Sequence, residues 1–384
     1  MNNAPRSVYI HVPFCRSRCT YCDFFTAVCP PETWHTWHEG LLREIDLTEK
    51  LGSKEKLATV YFGGGTPSLV DAGMIASIIE RLKERFGFER EIEITLEANP
   101  ESVTKGKALI WQKAGINRVS LGLQSVDEQM LKLLGRPHTV ETFKEAVAIL
   151  RSVGILNLSA DLMFGLPTET FSMADKALDL LAEFDIPHVS FYALSLEPGT
   201  PLFNQFKDKE MSDEEEKLER AIYWQIRERL ERQGLIVYEI SNAGKPDYFS
   251  KHNLVYWRQK SYFGFGPAAA SFAFSVRRSN AANIDQWLED IEGARNDGSY
   301  TPSSLEEVID EEEAMKETML LGLRLTEGID IGSFHQRFGR SPRDVFSAKI
   351  KGLEADGLLE EVAGRIRLTK HGIDFANLAF AAFI

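Results

Sequence analysis

Short apolar segments alternate with amphipathic ones through the first half of the chain, and this alternation constrains the fold. Six segments have the β-branched, aromatic and aliphatic content of strands: residues 8–12, 59–62, 91–96, 118–123, 158–164 and 188–194. The segments between them are charged and carry apolar residues at helical spacing, as in 74–86 and 140–153. Such alternation is typical of right-handed βαβ crossovers and a parallel sheet. It predicts an α/β fold, a partial TIM-like (βα)6 barrel that need not close fully.

Residues able to carry chemistry stand at the ends of these predicted strands. They are Cys15, 63–67, Glu97, Gln124 and 197–200, with Asp161 inside the fifth strand. The C-terminal ends of parallel strands meet at one mouth of a barrel, where ligand sites lie. We therefore expect these scattered residues to form one site.

Three cysteines, Cys15, Cys19 and Cys22, follow the first strand at CxxxCxxC spacing. Three thiolates are one too few for the four irons of a [4Fe–4S] cluster, so one iron stays free to bind a ligand. Four cysteines in 384 residues make no disulfide framework, although one disulfide with a spare thiol stays open. A zinc site would need a fourth ligand, which His11 or Cys29 could supply.

Other site residues have two interpretations. The glycines at 63–65 let the backbone approach a ligand closely, but they would also make a tight turn. Asp161 is a charge in an apolar strand, which is costly unless it has a partner. Arg136 could bind a carboxylate in a bidentate contact or form a surface salt bridge.

The composition, 43% hydrophobic and 26% charged, is ordinary for a globular protein. The first residues lack the apolar core of a secretory signal, and no apolar run is long enough for a bilayer. We therefore expect a cytoplasmic protein, where thiols stay reduced. The net charge of −13 disfavours nonspecific binding of nucleic acid.

Acidic stretches near 202–216 and 306–313 divide the rest of the chain. We expect a core barrel over 1–205, a segment completing the barrel over 206–300, and a C-terminal helical module over 301–384. The module has a predicted helix at 342–354 and a hairpin of 357–362 and 365–368, which resembles a winged helix. We interpret it as a cap or docking module that binds no nucleic acid.

The cysteine loop, with Tyr21 before its third cysteine, resembles that of radical S-adenosylmethionine (SAM) proteins. Tyr9-Ile-His-Val-Pro-Phe-Cys, GGGTP, Glu-Ala-Asn-Pro, Leu-Gly-Leu-Gln-Ser, Leu-Gly-Arg and Asp-Leu-Met-Phe-Gly-Leu-Pro also occur in the order seen in oxygen-independent coproporphyrinogen III oxidase and its relatives. The resemblance covers most of the chain, including the C-terminal module. It implies a [4Fe–4S] cluster on the three cysteines, with SAM on the free iron.

The same resemblance implies which residues contact SAM. They are Tyr9, Gly64, Gly65, Thr66, Glu97, Gln124, Arg136 and Asp161. The oxidase can hold two SAM molecules, and the first would lie near Tyr9, Gly64 and Glu97. A second would lie near Gln124, Arg136 and Asp161.

Two features separate this chain from the oxidase. Phe24 stands where the oxidase has a fourth cysteine, as CxxxCxxCxC, and this disfavours oxidative decarboxylation of coproporphyrinogen III. Residues 252–257, His-Asn-Leu-Val-Tyr-Trp, resemble the HNxxYW motif of haem chaperones in the same family. The imidazole of His252 is a candidate axial haem ligand, with the aromatics against a porphyrin face. The alternative is a capped loop packed on the barrel mouth.

These features favour a haem chaperone with a [4Fe–4S] cluster and SAM, and no catalytic residue is assigned. Its expected partners are haem, an electron donor for the cluster, and recipient apo-haemoproteins, membrane-associated ones among them. The alternatives are a radical SAM coproporphyrinogen III oxidase and a radical SAM enzyme that modifies haem. The sequence leaves open whether SAM is cleaved or only bound.

Overall fold

The computed structural model describes residues 4–48, 55–208, 212–294 and 305–384. Their main sheet has nine strands: β1 (Ser7–Val12), β2 (Leu57–Gly64), β3 (Phe88–Ala98), β4 (Arg118–Gln124), β5 (Asn157–Phe164), β6 (His188–Ala193), β7 (Ile236–Glu239), β8 (Asn242–Gly244) and β9 (Phe263–Phe265). The order across the sheet is β7-β8-β6-β5-β4-β3-β2-β1-β9. All six predicted strands are present, as β1 to β6.

Strands β1 to β6 and β9 run parallel, β8 pairs antiparallel with β6, and β7 pairs antiparallel with β8. Within the described residues β7 and β9 are the two edges, so the sheet does not close, as predicted for a partial barrel. The helices of this part are α1 (Pro31–Leu47), α2 (Ala72–Phe86), α3 (Lys105–Ala114), α4 (Glu128–Leu133), α5 (Val140–Ser152), α6 (Phe171–Glu183), α7 (Pro201–Phe206), α8 (Asp213–Arg232), α9 (Lys251–Trp257) and α10 (Ile284–Gly293).

Local sequence accounts for the start and end of these helices. In α2 the Asp71 carboxylate accepts a hydrogen bond from the Gly73 N–H, and Gly87 ends the helix at φ +68°. Its apolar residues at helical spacing are buried against the sheet. Helix α8 begins at Asp213, where Ser212 and Glu215 form a capping box.

The C-terminal region has its own cluster of buried residues, from Met315 to Phe383. Its helices are α11 (Glu311–Gly322), α12 (Ile331–Phe338), α13 (Pro342–Val345), α14 (Ser347–Ala355), α15 (Lys370–Asp374) and α16 (Ala376–Ala381). Strands β10 (Ala270–Ala273), β11 (Val276–Ser279) and β12 (Leu305–Val308) form one small sheet, and β13 (Ile329–Asp330), β14 (Leu359–Val362) and β15 (Arg365–Leu368) form another. The predicted boundaries at 205 and 300 stay predictions.

The predicted hairpin is confirmed as β14 and β15, joined by Ala363 and Gly364, both at positive φ. The single helix predicted for 342–354 is wrong. The chain leaves the helical conformation at Phe346, and two helices, α13 and α14, form there. The Phe346 ring is buried edge-on to Phe383, with ring centroids 5.4 Å apart, so tertiary packing overrides the local helical pattern.

Among the described helices, none has both the length and the apolar character that a membrane span requires.

Candidate functional site

A cavity of about 420 Å³ opens at the C-terminal ends of the parallel strands. Its walls carry nearly all the residues predicted from the sequence: Cys15, Cys19, Cys22, Gly64, Gly65, Thr66, Glu97, Gln124, Arg136 and Asp161. Of the predicted site residues only Tyr9 and His252 are not on its walls. The fold therefore brings together groups as far apart in the sequence as Cys15 and Asp161.

Hydrogen bonds at both ends hold the cysteine loop. The Cys15 N–H donates to the Ala27 carbonyl at 3.0 Å, and the Ala27 N–H donates to the Pro13 carbonyl at 2.6 Å. In the middle of the loop the Thr20 hydroxyl donates to the Leu133 carbonyl at the end of α4, at 2.7 Å. The cysteines are thus presented on a fixed backbone at the cavity.

All four cysteines are free thiols, so the disulfide alternative has no support in the structure. Within the described ranges no three His, Cys, Asp or Glu side chains converge on a point where a single metal ion could bind. The zinc alternative also lacks its fourth ligand, because His11 Nε2 hydrogen-bonds to the Phe25 carbonyl and Cys29 lies off the cavity. A [4Fe–4S] cluster differs, since each thiolate binds a different iron and the sulfurs need only surround it. Three thiols on one cavity wall fit that donor set.

Glycine is required next to the cysteine loop. Gly64 has φ +112°, and a Cβ there would lie 2.7 Å from the His11 ring. A Cβ on Gly65 would lie 2.7 Å from the Phe14 carbonyl oxygen, which is backbone and cannot rotate away. Beside them, the Thr66 hydroxyl lies 3.6 Å from the Cys15 sulfur. The glycine segment is therefore packed against the cysteine loop and is more than a turn.

Glu97 is a buried carboxyl at the cavity wall. Burial raises its pKa to about 7, the nearby Asp161 carboxylate adds to the increase, and a hydrogen bond from Tyr61 opposes it. That bond runs from the Tyr61 hydroxyl to Glu97 Oε1 at 2.8 Å. Glu97 thus holds a fixed position and changes its charge near neutral pH.

Asp161 is the charge found inside an apolar strand. The Ser120 hydroxyl donates to its Oδ1 at 3.0 Å. Burial raises the Asp161 pKa to about 6, and Ser120, Arg118 and Arg136 oppose the increase. The partner expected for this carboxyl is therefore present in the protein, and its second oxygen remains available to a ligand.

Arg136 connects the barrel to the cysteine loop. Its Nη1 donates to Asn99 Oδ1 and its Nη2 to the Tyr21 hydroxyl, both at 2.9 Å. These bonds stand in place of the surface salt bridge considered from the sequence. The Arg136 Nε is buried without a protein partner, which leaves a donor for a ligand.

Gln124 lies where β4 bulges against β5, and its φ is +64°, an uncommon conformation for a residue other than glycine. Its side-chain oxygen accepts a hydrogen bond of 2.8 Å from the Tyr192 hydroxyl. A residue in this backbone conformation is strained. Strained residues are often found at ligand sites, where the surrounding structure holds them in place.

Comparisons with known proteins agree with this geometry. Residues 9–181 match the radical SAM superfamily, and residues 309–375 match the HemN C-terminal domain. The chain is 31% identical to the heme chaperone HemW of Lactococcus lactis, covering 100% of this chain and 98% of that protein. It is 32% identical to the heme chaperone HemW of Escherichia coli, covering 99% and 98%. The chain belongs to the HemW family of radical SAM proteins.

The fold of this HemW family member is also that of a solved enzyme. Coproporphyrinogen III oxidase (HemN) from Escherichia coli, a radical SAM enzyme, superposes with a TM-score of 0.83 over 99% of this chain and 90% of the enzyme. The two are 20% identical, and the likeness shows the fold alone. Membership of the radical SAM superfamily implies a [4Fe–4S] cluster and SAM, and the three thiols and glycine segment at the cavity fit them.

The HNxxYW segment of this HemW family member forms helix α9, capped by Ser250, and is no loop. His252 is 1% exposed. Its Nδ1 bonds with the Thr59 hydroxyl and its Nε2 with the Tyr256 hydroxyl, each at 2.8 Å. Burial lowers the His252 pKa to about 3, so the ring is neutral. Asn253, next in the chain, lines the cavity instead.

The structure therefore does not bring His252 to the other predicted site residues. Its ring stacks on Tyr61, with centroids 5.1 Å apart, behind the residue that holds Glu97. Tyr9 also stacks on Tyr61, with ring centroids 6.3 Å apart, and its hydroxyl bonds with His11 Nδ1 at 3.1 Å. Haem ligation by His252 stays a prediction, and it requires the ring to leave Thr59 and Tyr256.

Sequence reasoning missed several polar residues of the cavity: Tyr61, Arg118, Ser120, Ser159, Ser190 and Tyr192. The signal for them in the sequence was a polar residue at every second position of a strand. In β4, Arg118, Ser120 and Gly122 share one strand face, and in β5 Ser159 shares a face with Asp161. A polar row inside apolar parallel strands indicates a barrel interior that binds a polar ligand.

Proposed function

We propose that this chain is a haem chaperone that binds haem, a [4Fe–4S] cluster and SAM and passes haem to apo-haemoproteins. Similarity over nearly the whole length to proteins described as heme chaperone HemW carries the proposal. This function requires an electron donor for the cluster and recipient haemoproteins, membrane-associated ones among them. The cytoplasm suits it, because thiols stay reduced there.

In this proposal the cavity residues hold the two cofactors. Cys15, Cys19 and Cys22 ligate the cluster, which when bound supplies one-electron chemistry and a free iron site. The backbone of 64–66 lies against SAM, and ionised Glu97 accepts hydrogen bonds from its ribose hydroxyls. Gln124, Arg136 and Asp161 serve a second SAM position, and the unpartnered Nε of Arg136 supports this assignment.

We expect coproporphyrinogen III to remain unconverted when it is supplied with the reconstituted protein, SAM and a reductant. Phe24 occupies the position of the oxidase's fourth cysteine and cannot replace a thiol in acid–base or redox chemistry. Chromatography of the porphyrins after anaerobic incubation checks this. Multiple turnovers to protoporphyrinogen IX would establish the oxidase alternative in place of the chaperone.

We expect haemin to bind the reconstituted protein, with the Soret band reporting its affinity. Because His252 bonds to the hydroxyls of Thr59 and Tyr256, we expect His252→Ala to lower the free energy of unfolding by about 1–3 kcal/mol. A shift of the Soret band in the same variant is the result that haem ligation by His252 requires. Denaturant unfolding and haemin titration of the same samples measure both effects.

Tyr256→Phe is the matched control, since it removes only the hydroxyl that occupies His252 Nε2. If His252 ligates haem, freeing Nε2 tightens haemin binding and His252→Ala shifts the Soret band. That pair of results would show that the imidazole leaves the core to bind iron, as the sequence motif predicts.

A further inference from the structure

The cysteine loop exposes two large apolar side chains, Phe24 and Val28. Phe24 and Val28 are each 65% exposed, and Phe24 stands on the rim of the cavity. Scattered exposed apolar residues are normal on protein surfaces. Here, however, an aromatic ring lies directly beside the cysteines of the candidate site, where aromatic rings commonly bind flat ligands.

The exposure of Phe24 is set by a fixed backbone and does not come from a frayed end. The Cys15–Ala27 and Ala27–Pro13 hydrogen bonds close the loop on both sides of the ring. The Arg18 Nε also donates to the Cys22 carbonyl at 3.0 Å, two residues before Phe24. The loop therefore holds the Phe24 ring in contact with solvent. Exposure of this apolar surface to water is unfavourable, and a ligand that covered the ring would remove that cost.

The cavity is too small to enclose a haem as well. A volume of about 420 Å³ lies in the lower part of the range for sites that bind one small molecule. The cluster and SAM, which the family implies, would already occupy it when bound. A haem held next to them must therefore lie outside the cavity, against its rim.

The charges of the loop suit the two propionates of haem. Arg16 and Arg18 are exposed on the same loop, and Arg18 also lines the cavity. The exposed Asp23 offsets one of these positive charges, yet the pair stands out in a chain of net charge −13. Exposed apolar side chains beside two arginines are complementary to haem, which has a flat apolar macrocycle and anionic propionates.

We propose that haem binds on the outer rim of the cavity, with one face of the macrocycle on Phe24 and Val28 and its propionates at Arg16 and Arg18. This inference rests on the proposed function and names the surface that performs it. The residue that distinguishes the chain from the oxidase thereby becomes a haem contact. His252 has no part in this site.

The test compares haem retention by the cluster-loaded protein and its variants. Each sample is incubated with haemin and passed through a sizing column, and haem is counted by pyridine extraction, which the cluster does not disturb. Iron and sulfide are counted before haemin is added, to show equal cluster content. We expect Phe24→Ser to weaken haem binding by about tenfold or more, because the contact area of one large apolar side chain is lost.

Phe24→Trp, which keeps a flat aromatic ring, should retain near wild-type affinity. The double variant Arg16→Gln, Arg18→Gln should weaken binding by a few-fold at low salt, with the difference disappearing at high salt. The matched controls are exposed side chains that do not line the cavity. Phe171→Ser removes another exposed phenylalanine, 46% exposed, and Arg340→Gln removes another exposed arginine; both should bind haem as the wild type does.

The outcomes separate this inference from the proposed function. If the wild type retains no haem, the chaperone function itself is wrong. If the wild type and Phe24→Ser retain haem equally, the chaperone function stands and the rim site is wrong. The rim site is also wrong if Phe24→Ser slows only the transfer to a recipient, since Phe24 would then contact the recipient protein.

Discussion

We expect the replacement of Cys15, Cys19 or Cys22 by alanine to abolish the iron–sulfur cluster, and the replacement of Cys29 to leave it intact. With three ligands and one open iron, the loss of any thiolate leaves two for four irons, and the cluster is not held. The loop around these cysteines is fixed by hydrogen bonds at both ends and at Thr20, so no other thiol can move into the vacated position. We expect an all-or-none effect.

Iron and sulfide per chain, counted after anaerobic reconstitution, measure this effect together with the visible absorption of the cluster. Cys29→Ala is the matched control, because Cys29 is a free thiol that packs against the main core and lies off the cavity. Equal cluster loss in Cys29→Ala would contradict the assignment, and so would a full cluster in Cys19→Ala.

Glu97→Gln makes the SAM-free protein more stable at pH 8 by about 3 kcal/mol and has little effect below pH 5. The folded-state pKa of Glu97, about 7, lies above its ordinary value of 4.5 because the carboxyl is buried. A raised carboxyl pKa contributes stability at pH values below the ordinary one, and that stability is lost as the pH rises through the folded pKa. Glutamine keeps a neutral side chain at every pH and avoids this loss.

Denaturant unfolding between pH 5 and pH 8 measures this difference. Glu91→Gln is the matched control, because Glu91 lies on the same strand and is exposed. In the proposed SAM site ionised Glu97 is the form that accepts hydrogen bonds, so we expect wild-type affinity for SAM to rise with pH through 7 and the variant to lack this rise. If the free energy of unfolding changes with pH in the same way for the wild type and for Glu97→Gln, the Glu97 carboxyl is not buried in the SAM-free protein.

Much of the fold could be predicted from the sequence because local patterns specify its strands and helices. The β-α alternation predicts the six parallel strands, and strand ends predict which residues meet at the mouth. Gly64 and Gly65 were identified through their chemistry, and the structure gives the reason, which is their contact with the cysteine loop. The cavity residues therefore follow from the order of elements with little tertiary information.

The parts that the sequence did not resolve depend on contacts distant in sequence. His252 bonds to Thr59, 193 residues away, and nothing near the HNxxYW motif shows that the ring faces β2 and not the cavity. The break at Phe346 depends on Phe383, which lies beyond the hairpin. Local patterns specify strands and helices, but which face of a short helix is buried depends on the partner it meets.

The central claim is that this chain moves haem, and haem transfer tests it most directly. Reconstituted protein loaded with haem is mixed with an apo-haemoprotein whose activity returns only with haem, in the presence and absence of SAM. Free haemin at the same concentration and haem-loaded Phe24→Ser are run beside it. The account predicts that activity returns as haem leaves the chaperone. If haem stays on the wild-type protein while the recipient remains inactive, the chaperone function is contradicted.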